Sequence, residues 1–415
     1  MSREKAVVYA CTRCPARYEK RHIGKCDRCG SVVDPIYDLS RAQVNTDAGS
    51  YIERYFDLLP LEHLEHASGG HEPTPVVRAT TLAHRYKLKD LWLKNETVNP
   101  TRTTKDRMAA CSLSRFRELG IKAFVASSTG NSSTSFGRWI AQHGEGGLHA
   151  HLFCGSAWFG RHQHCAHDDV TLTAVDGTFV EASAVARQYA TTEGLVWEGG
   201  FFNPCRREGL KTAYLEAFDQ MPRQPSVVVQ AVSSGMGMYG AWRGAKEYYR
   251  LGRLRRLPRL VCVQQSSCAP MVRSFERGAS EICPEFVLAD PQGIAEAILR
   301  GDPSGSYPYV CKIVKESRGT FRDVTREEIE ETQQLLFEDE GLRACPASAA
   351  AVAGVTRLRS ESALSEDDVI LVNLAGGIRS PDDDDATGRS LVKESPNGSR
   401  AAVSDRRREV ARHEG

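Results

Sequence analysis

The sequence predicts an α/β fold in which parallel sheets carry helices on both faces, preceded by a small cysteine ribbon. Three observations predict it. From Glu72-Pro73-Thr74-Pro75 onward, short β-branched runs alternate with longer helical stretches, the pattern of strand–helix–strand crossovers. Two of those strands run into loops of small residues that open a helix. Ahead of them, Cys11-x-x-Cys14 and Cys26-x-x-Cys29 have the spacing of two metal knuckles.

Residues 1–40 form the ribbon. Each pair can present two thiolates from a tight turn, and Gly30 suits the second turn. Four thiolates make a tetrahedral site for structural zinc. Zinc, or a degenerate relic of its site, is favoured over redox chemistry, and the expected job is fastening the N-terminal segment. Residues 41–72 read as a connecting arm, with an apolar stretch over 51–64 expected to be helical. Strands are expected over 91–95, 122–126, 149–153, 170–175, 227–232, 259–263 and 369–374, with helices such as 106–119, 179–192 and 239–251 between them. The segment 304–322 reads as turn-rich and leads to an acidic amphipathic helix over 326–340 and an Ala-rich one over 347–358. Past Gly377 the chain turns polar, with an acidic run at 382–385, so 380–415 is expected to be disordered.

With 415 residues the chain has room for two or three domains. A hydrophobic share of 41% and a charged share of 26% describe a globular protein. The net charge of +1 gives no electrostatic case for nucleic acid or a membrane surface as partner. No long uncharged apolar run predicts a transmembrane helix, and MSREKAVVYAC lacks the apolar core of a signal peptide, so a cytoplasmic location is expected. The nine cysteines outside the ribbon read as small core residues.

The chemistry is concentrated in three segments. Asn99-Pro100-Thr101-Arg102-Thr103-Thr104-Lys105-Asp106-Arg107 places one lysine between a strand and a helix. A Schiff-base lysine needs that setting: a fixed backbone, a partly desolvated amine and an open face. Alone, Lys105 reads more readily as a solvated surface residue than as a Schiff-base lysine. Two further loops change that: Ser127-Ser128-Thr129-Gly130-Asn131-Ser132, and Ser233-Ser234-Gly235-Met236-Gly237-Met238-Tyr239-Gly240 with a helix expected near Tyr239. Strand–loop–helix units aim backbone N–H groups and a helix dipole at an anion. One lysine and two anion cradles suit pyridoxal phosphate and an amino-acid carboxylate. A separate cluster, His162, His164, Cys165, His167, Asp168 and Asp169, fits no tetrahedral spacing and reads as a polar surface segment rather than a second metal site.

Together these segments resemble the fold-type II pyridoxal-phosphate enzymes, and within them threonine synthase. NPTRTTKDR matches that family's NPTGSFKDR, SSTGNSS its SSGNT-like loop, and SSGMGMYG its Gly-rich phosphate loop. NPCRREGLKT, from Asn203 to Thr212, is similar to NPYRxEGQKT. Val263-Gln264 through Cys268-Ala269-Pro270 is similar to VQxxGxxP. The resemblance runs from about 73 to 379. It implies two three-layer α/β/α domains like those of the tryptophan synthase β subunit, with a small domain at about 108–205 inserted in a catalytic core of 73–379, and a homodimer. It also implies roles: Lys105 as cofactor lysine and catalytic base, Asn131 on the phenolic oxygen, and Ser128, Thr129 and Ser132 on the substrate carboxylate. Ser234, Gly235, Met236, Gly237 and Met238 would hold the cofactor phosphate, while Asp106 and Arg107 brace the lysine turn. Cysteine ribbons occur at the N-terminus of some members.

Two departures stand out. Arg102 replaces a glycine and could hold an anionic leaving group or nucleophile, or be a solvated loop residue; Arg161 and Arg206 are further candidates for an anion. Ala375, in Val372-Asn373-Leu374-Ala375-Gly376-Gly377, falls where relatives carry the hydroxyl that meets the pyridine nitrogen, a loss that Asn373 or a water could offset. With Thr104, these departures imply a diverged paralogue. The expected reaction is conversion of O-phosphohomoserine and water to threonine and phosphate. The alternatives are β-replacement on O-phosphoserine, as in cysteate synthase, or a catalytically silent ligand-binding module.

Overall fold

The computed structural model describes residues 5–64, 72–143 and 147–379, together with two short strands beyond them. An antiparallel ribbon comes first: Val8–Cys11 (β1), Arg17–Glu19 (β2) and Val33–Ile36 (β3), ordered β2-β1-β3. Val76–Arg78 (β4) and Asp90–Asn95 (β5) begin a larger sheet. The chain leaves it to build a second sheet from Ala123–Ser127 (β6), His149–Gly155 (β7), Val170–Val175 (β8) and Val196–Trp197 (β9). It returns through Val227–Ala231 (β10), Arg259–Gln265 (β11), Thr320–Val324 (β12) and Val369–Leu374 (β13). The larger sheet has the order β12-β11-β10-β13-β5-β4, parallel except for β4. The second runs β9-β6-β7-β8 in parallel and is extended by Val392–Glu394 (β14) and Arg400–Ala402 (β15).

Strands β10 and β13 are buried at every position, which is why they read as apolar runs broken only by Gln230 and Asn373. Their side chains alternate between two packed layers. Val227 and Val229 face the Ala-rich helix Pro346–Ser360, while Val228 joins the layer of Tyr214 and Leu215 on the opposite side.

The helix Pro204–Gln220 accounts for most of the NPCRREGLKT segment, and its charges are structural. Arg207 donates to Val33 O at 2.7 Å and to Asp34 at 3.1 Å, binding the ribbon to the core. Lys211 donates to Leu58 O at 2.6 Å and to Glu247 at 2.8 Å, and also pairs with Glu208. Glu216 takes Lys94 at 2.7 Å and Arg107 at 2.6 Å. A buried charge without a partner would cost several kcal/mol, so these ions are matched throughout. Gly209 lets this helix press against the backbone of Arg107, which a Cβ would block.

Several expectations are corrected. The 51–64 stretch is helical only over Tyr51–Arg54, followed by a tight turn at Phe56–Leu58, because Leu59 precedes Pro60 and is extended. The turn-rich 304–322 holds a helix, Tyr307–Glu316, whose Pro308 sits in the first turn where no N–H is needed, and then β12. The helix expected near Tyr239 starts at Met236. The tail 380–415 contributes β14 and β15, since strand pairing is a backbone property that polar composition does not forbid; its other residues lie outside the described ones. Among the described residues, no helix is long and apolar enough to cross a membrane.

Candidate active site

Four loops at the carboxyl ends of β5, β6, β10 and β13 converge on one cleft, the place where open parallel sheets expose backbone groups to a ligand. After β5 the lysine turn is tied by Asp106, which accepts from Thr101 N at 2.9 Å and Thr101 Oγ1 at 2.6 Å. Arg107 is buried among Glu96, Glu216, Thr74 and Thr212. Both residues therefore brace the turn, as the sequence predicts. Lys105 opens the helix Lys105–Glu118 and walls the cleft. Burial draws its pKa down to about 8, with the positive charge of Arg206 adding to the effect.

Behind Lys105 lies a pocket walled by Thr103, Thr104, Gln230, Ser233–Gly237, Cys345, Ala375 and Gly376. Gly235 is the left-handed residue (φ 77°) from which the helix Met236–Arg250 departs. This brings the N-terminal turn of that helix directly against the pocket. Ser234, Gly235, Met236 and Gly237 all wall it, whereas the Met238 side chain is in the core.

In front of Lys105 a wider chamber opens to solvent, walled by Ser128, Thr129, Asn131, Ser132 and Arg206 among others. Ser128 Oγ accepts from Gly130 N at 3.0 Å, shaping the loop, and Ser132 Oγ accepts from Arg206 at 3.2 Å. Asn131 heads the helix Asn131–His143 and walls both spaces. Its Oδ1 accepts from Arg379 at 2.8 Å, and Arg379 also donates to Thr134 at 3.0 Å. A guanidinium has only donors, so this contact leaves the Asn131 amide to donate elsewhere. Arg379 escaped the sequence reading because only the fold brings it to residue 131.

Of the anion candidates, Arg102 takes the loop alternative, and Arg161 and Arg206 are already paired with carboxylates. Arg102 is exposed and is not among the residues that wall the cleft. Arg161 pairs with Glu296 at 2.5 Å, and Arg206 is gripped by both Glu198 oxygens at 2.6 Å. Ala375 does wall the pocket, its carbonyl accepting from Thr104 N at 2.9 Å. Asn373 does not take over its role: buried behind the pocket, it donates to Tyr214 at 3.0 Å. The polar groups beside Ala375 are instead the Thr104 hydroxyl, buried with no protein partner, and the Cys345 thiol. Cys345 also departs from the expectation of core cysteines, since it is only part-buried and faces the pocket.

In the ribbon, the sulfurs of Cys11, Cys14, Cys26 and Cys29 lie within 4.8 Å of one another. Tyr18 donates to Cys26 Sγ at 3.1 Å, which draws that thiol down to about 6. The histidine-rich segment forms no such cluster among the described residues. It is also less exposed than expected: His162 and Cys165 are buried, with His162 Nδ1 2.9 Å from Trp158 O.

Comparison with known proteins bears on this site. The model of the family "Pyridoxal-phosphate dependent enzyme" matches residues 67–376. The chain is 30% identical to a threonine synthase of Methanocaldococcus jannaschii over 388 residues, 91% of this chain and 94% of that one. It is 31% identical to a cysteate synthase of Methanoregula boonei over 284 residues, 67% of this chain and 66% of that one. Among solved structures, maize serine racemase superposes with a TM-score of 0.63 at 18% identity, covering 74% of this chain and 89% of that one.

Proposed function

The chain belongs to the pyridoxal-phosphate dependent enzymes, and on that footing we propose that it replaces a phosphate-bearing group of an amino acid in the manner of a threonine synthase. The observation that carries this is the setting of Lys105: one amine, drawn down to about 8, between a backbone anion cradle and a hydroxyl-lined chamber.

The residues present fit the cofactor. A Cβ on Gly235 would lie 2.6 Å from Val310, so the cradle admits only glycine, and the orphaned Thr104 hydroxyl faces a need for a polar partner. Pyridoxal phosphate, when bound, supplies a carbonyl for amines and a sink for the electron pair left at the substrate α-carbon. The 233–237 loop and the helix behind it hold its phosphate. Asn131, turned by Arg379, donates to its phenolic oxygen. Ser128, Thr129 and Ser132 hold the substrate carboxylate. Lys105 takes the α-proton. At a pKa near 8, roughly a tenth of its amine is free at pH 7, against well under a thousandth at an ordinary lysine value.

On this reading the substrate is O-phosphohomoserine and the products are threonine and phosphate. The similarity to a cysteate synthase favours a second reading, β-replacement on O-phosphoserine. The four ribbon thiols hold structural zinc. No disulfide joins any of the thirteen cysteines, which suits the cytoplasm, and a homodimer completes the proposal. The test offers each phosphoamino acid separately to the cofactor-loaded protein and measures phosphate release, with Lys105→Ala as control. Release from O-phosphohomoserine with threonine formed supports the first reading, and release from O-phosphoserine alone moves it to the second. Release from neither sinks both. A wild-type protein that stays colourless with the cofactor would instead favour a silent binding module.

A further inference from the structure

A substrate that carries phosphate needs cations, yet the arginines singled out from the sequence are engaged elsewhere. Arg206 is paired with Glu198 and Arg161 with Glu296, and Arg102 does not wall the cleft. Two other arginines wall the chamber in front of Lys105, Arg187 and Arg300. Neither has a carboxylate within 4 Å among the described residues.

Their placement is built. Phe179, Ser183 and Arg187 follow one another at intervals of four along the helix Phe179–Thr192, so all three line the same wall. The Arg187 guanidinium lies 5.2 Å from the Trp197 ring, and that of Arg300 lies 5.8 Å from Phe179. Arg300 enters from the opposite segment, after the turn Glu296–Ile298, with its Nε held by Asp302 O at 3.2 Å. Burial holds Arg300 below the usual arginine value, with Asp302 opposing and the charge of Arg187 adding. Two like charges on one chamber, one of them part-buried, repel, and an anion between them removes that repulsion.

We propose that Arg187 and Arg300 form a third anion subsite, distinct from the 233–237 cradle and the Ser128–Ser132 loop, for a tetrahedral oxyanion. Two planar forks recognise such a group well. The proposal rests on the reading that the enzyme handles an amino acid with an anionic substituent. The oxyanion is then the phosphate of the substrate or an anion that enters as nucleophile.

The test is equilibrium binding of inorganic phosphate, and separately of sulfate, to the cofactor-loaded protein, whose 233–237 cradle is already filled. Arg187→Gln, on an exposed helix position, Arg300→Gln and Arg300→Lys are compared with wild type, folding being checked by the retained cofactor absorption. Each Gln variant should weaken binding about tenfold or more, and Arg300→Lys should keep part of it. In turnover, a raised KM for the phosphoamino acid with kcat kept assigns the subsite to the substrate. A raised KM for an anionic nucleophile assigns it to that source. Wild-type binding in both Gln variants, or no anion binding to the wild type, overturns the subsite. Because binding needs no turnover, that result is separate from any failure to release phosphate.

Discussion

Gly235→Ala is the sharpest probe of the cofactor cradle. Two costs follow from the structure. At φ 77° an alanine is held in the left-handed region, which costs about 1–2 kcal/mol. Its Cβ would also lie 2.6 and 3.0 Å from the two methyl carbons of Val310 and 3.3 Å from its Cβ, against an ordinary carbon contact of about 3.5–4.0 Å. Val310 is fully buried in the helix Tyr307–Glu316, so relief requires a shift of backbone, an overpacking cost of about 1–3 kcal/mol. If the 233–237 loop yields rather than the core, the N–H cradle is distorted. The dissociation constant for pyridoxal phosphate should then rise tenfold or more. The assay is a cofactor titration followed by absorption, on Gly235→Ala, Val310→Ala and the double variant. Val310→Ala removes the clash but not the dihedral strain, so the double variant should bind more tightly than Gly235→Ala while remaining weaker than wild type. Additivity of the two variants to within about 0.5 kcal/mol would refute the steric reasoning. Wild-type affinity in Gly235→Ala alone would refute the cradle.

Other outcomes are expected together. The apoprotein amine of Lys105 should react with pyridoxal phosphate with a rate rising through pH 8, not 10.5, and Arg206→Met should move that midpoint upward by removing a positive neighbour. Between those pH values the unfolded chain binds a proton that the folded one does not, so this group makes stability rise with pH there, measurable by melting temperature. Arg379→Met should free the Asn131 amide to turn, changing the absorption of the lysine-bound cofactor and its pH dependence while leaving the fold intact. Metal analysis of the native protein should find one zinc per chain, lost in a Cys14→Ala/Cys26→Ala variant. Because Arg207 anchors the ribbon to the core, that loss should lower the melting temperature without abolishing cofactor binding.

The sequence alone carried the parallel α/β pattern, because strands buried on both faces read as near-continuous apolar runs, as β10 and β13 do apart from Gln230 and Asn373. It also pointed to the ribbon cysteines and to Lys105, whose backbone settings are local: a knuckle, a turn, a helix start. It did not reveal the helix 307–316 or the short edge strands, whose signals are a proline in a first turn and three or fewer residues of pairing. Charge was its weakest ground. Arg206 and Arg161 stood out in the sequence as anion candidates and are matched in space, whereas Arg187 and Arg300, which no motif singles out, share the chamber wall. Arg379 likewise reaches Asn131 from 248 residues away. Side-chain types and local spacing are written along the chain, but which charges neutralise one another, and which are left facing a cavity, is decided only when distant segments pack.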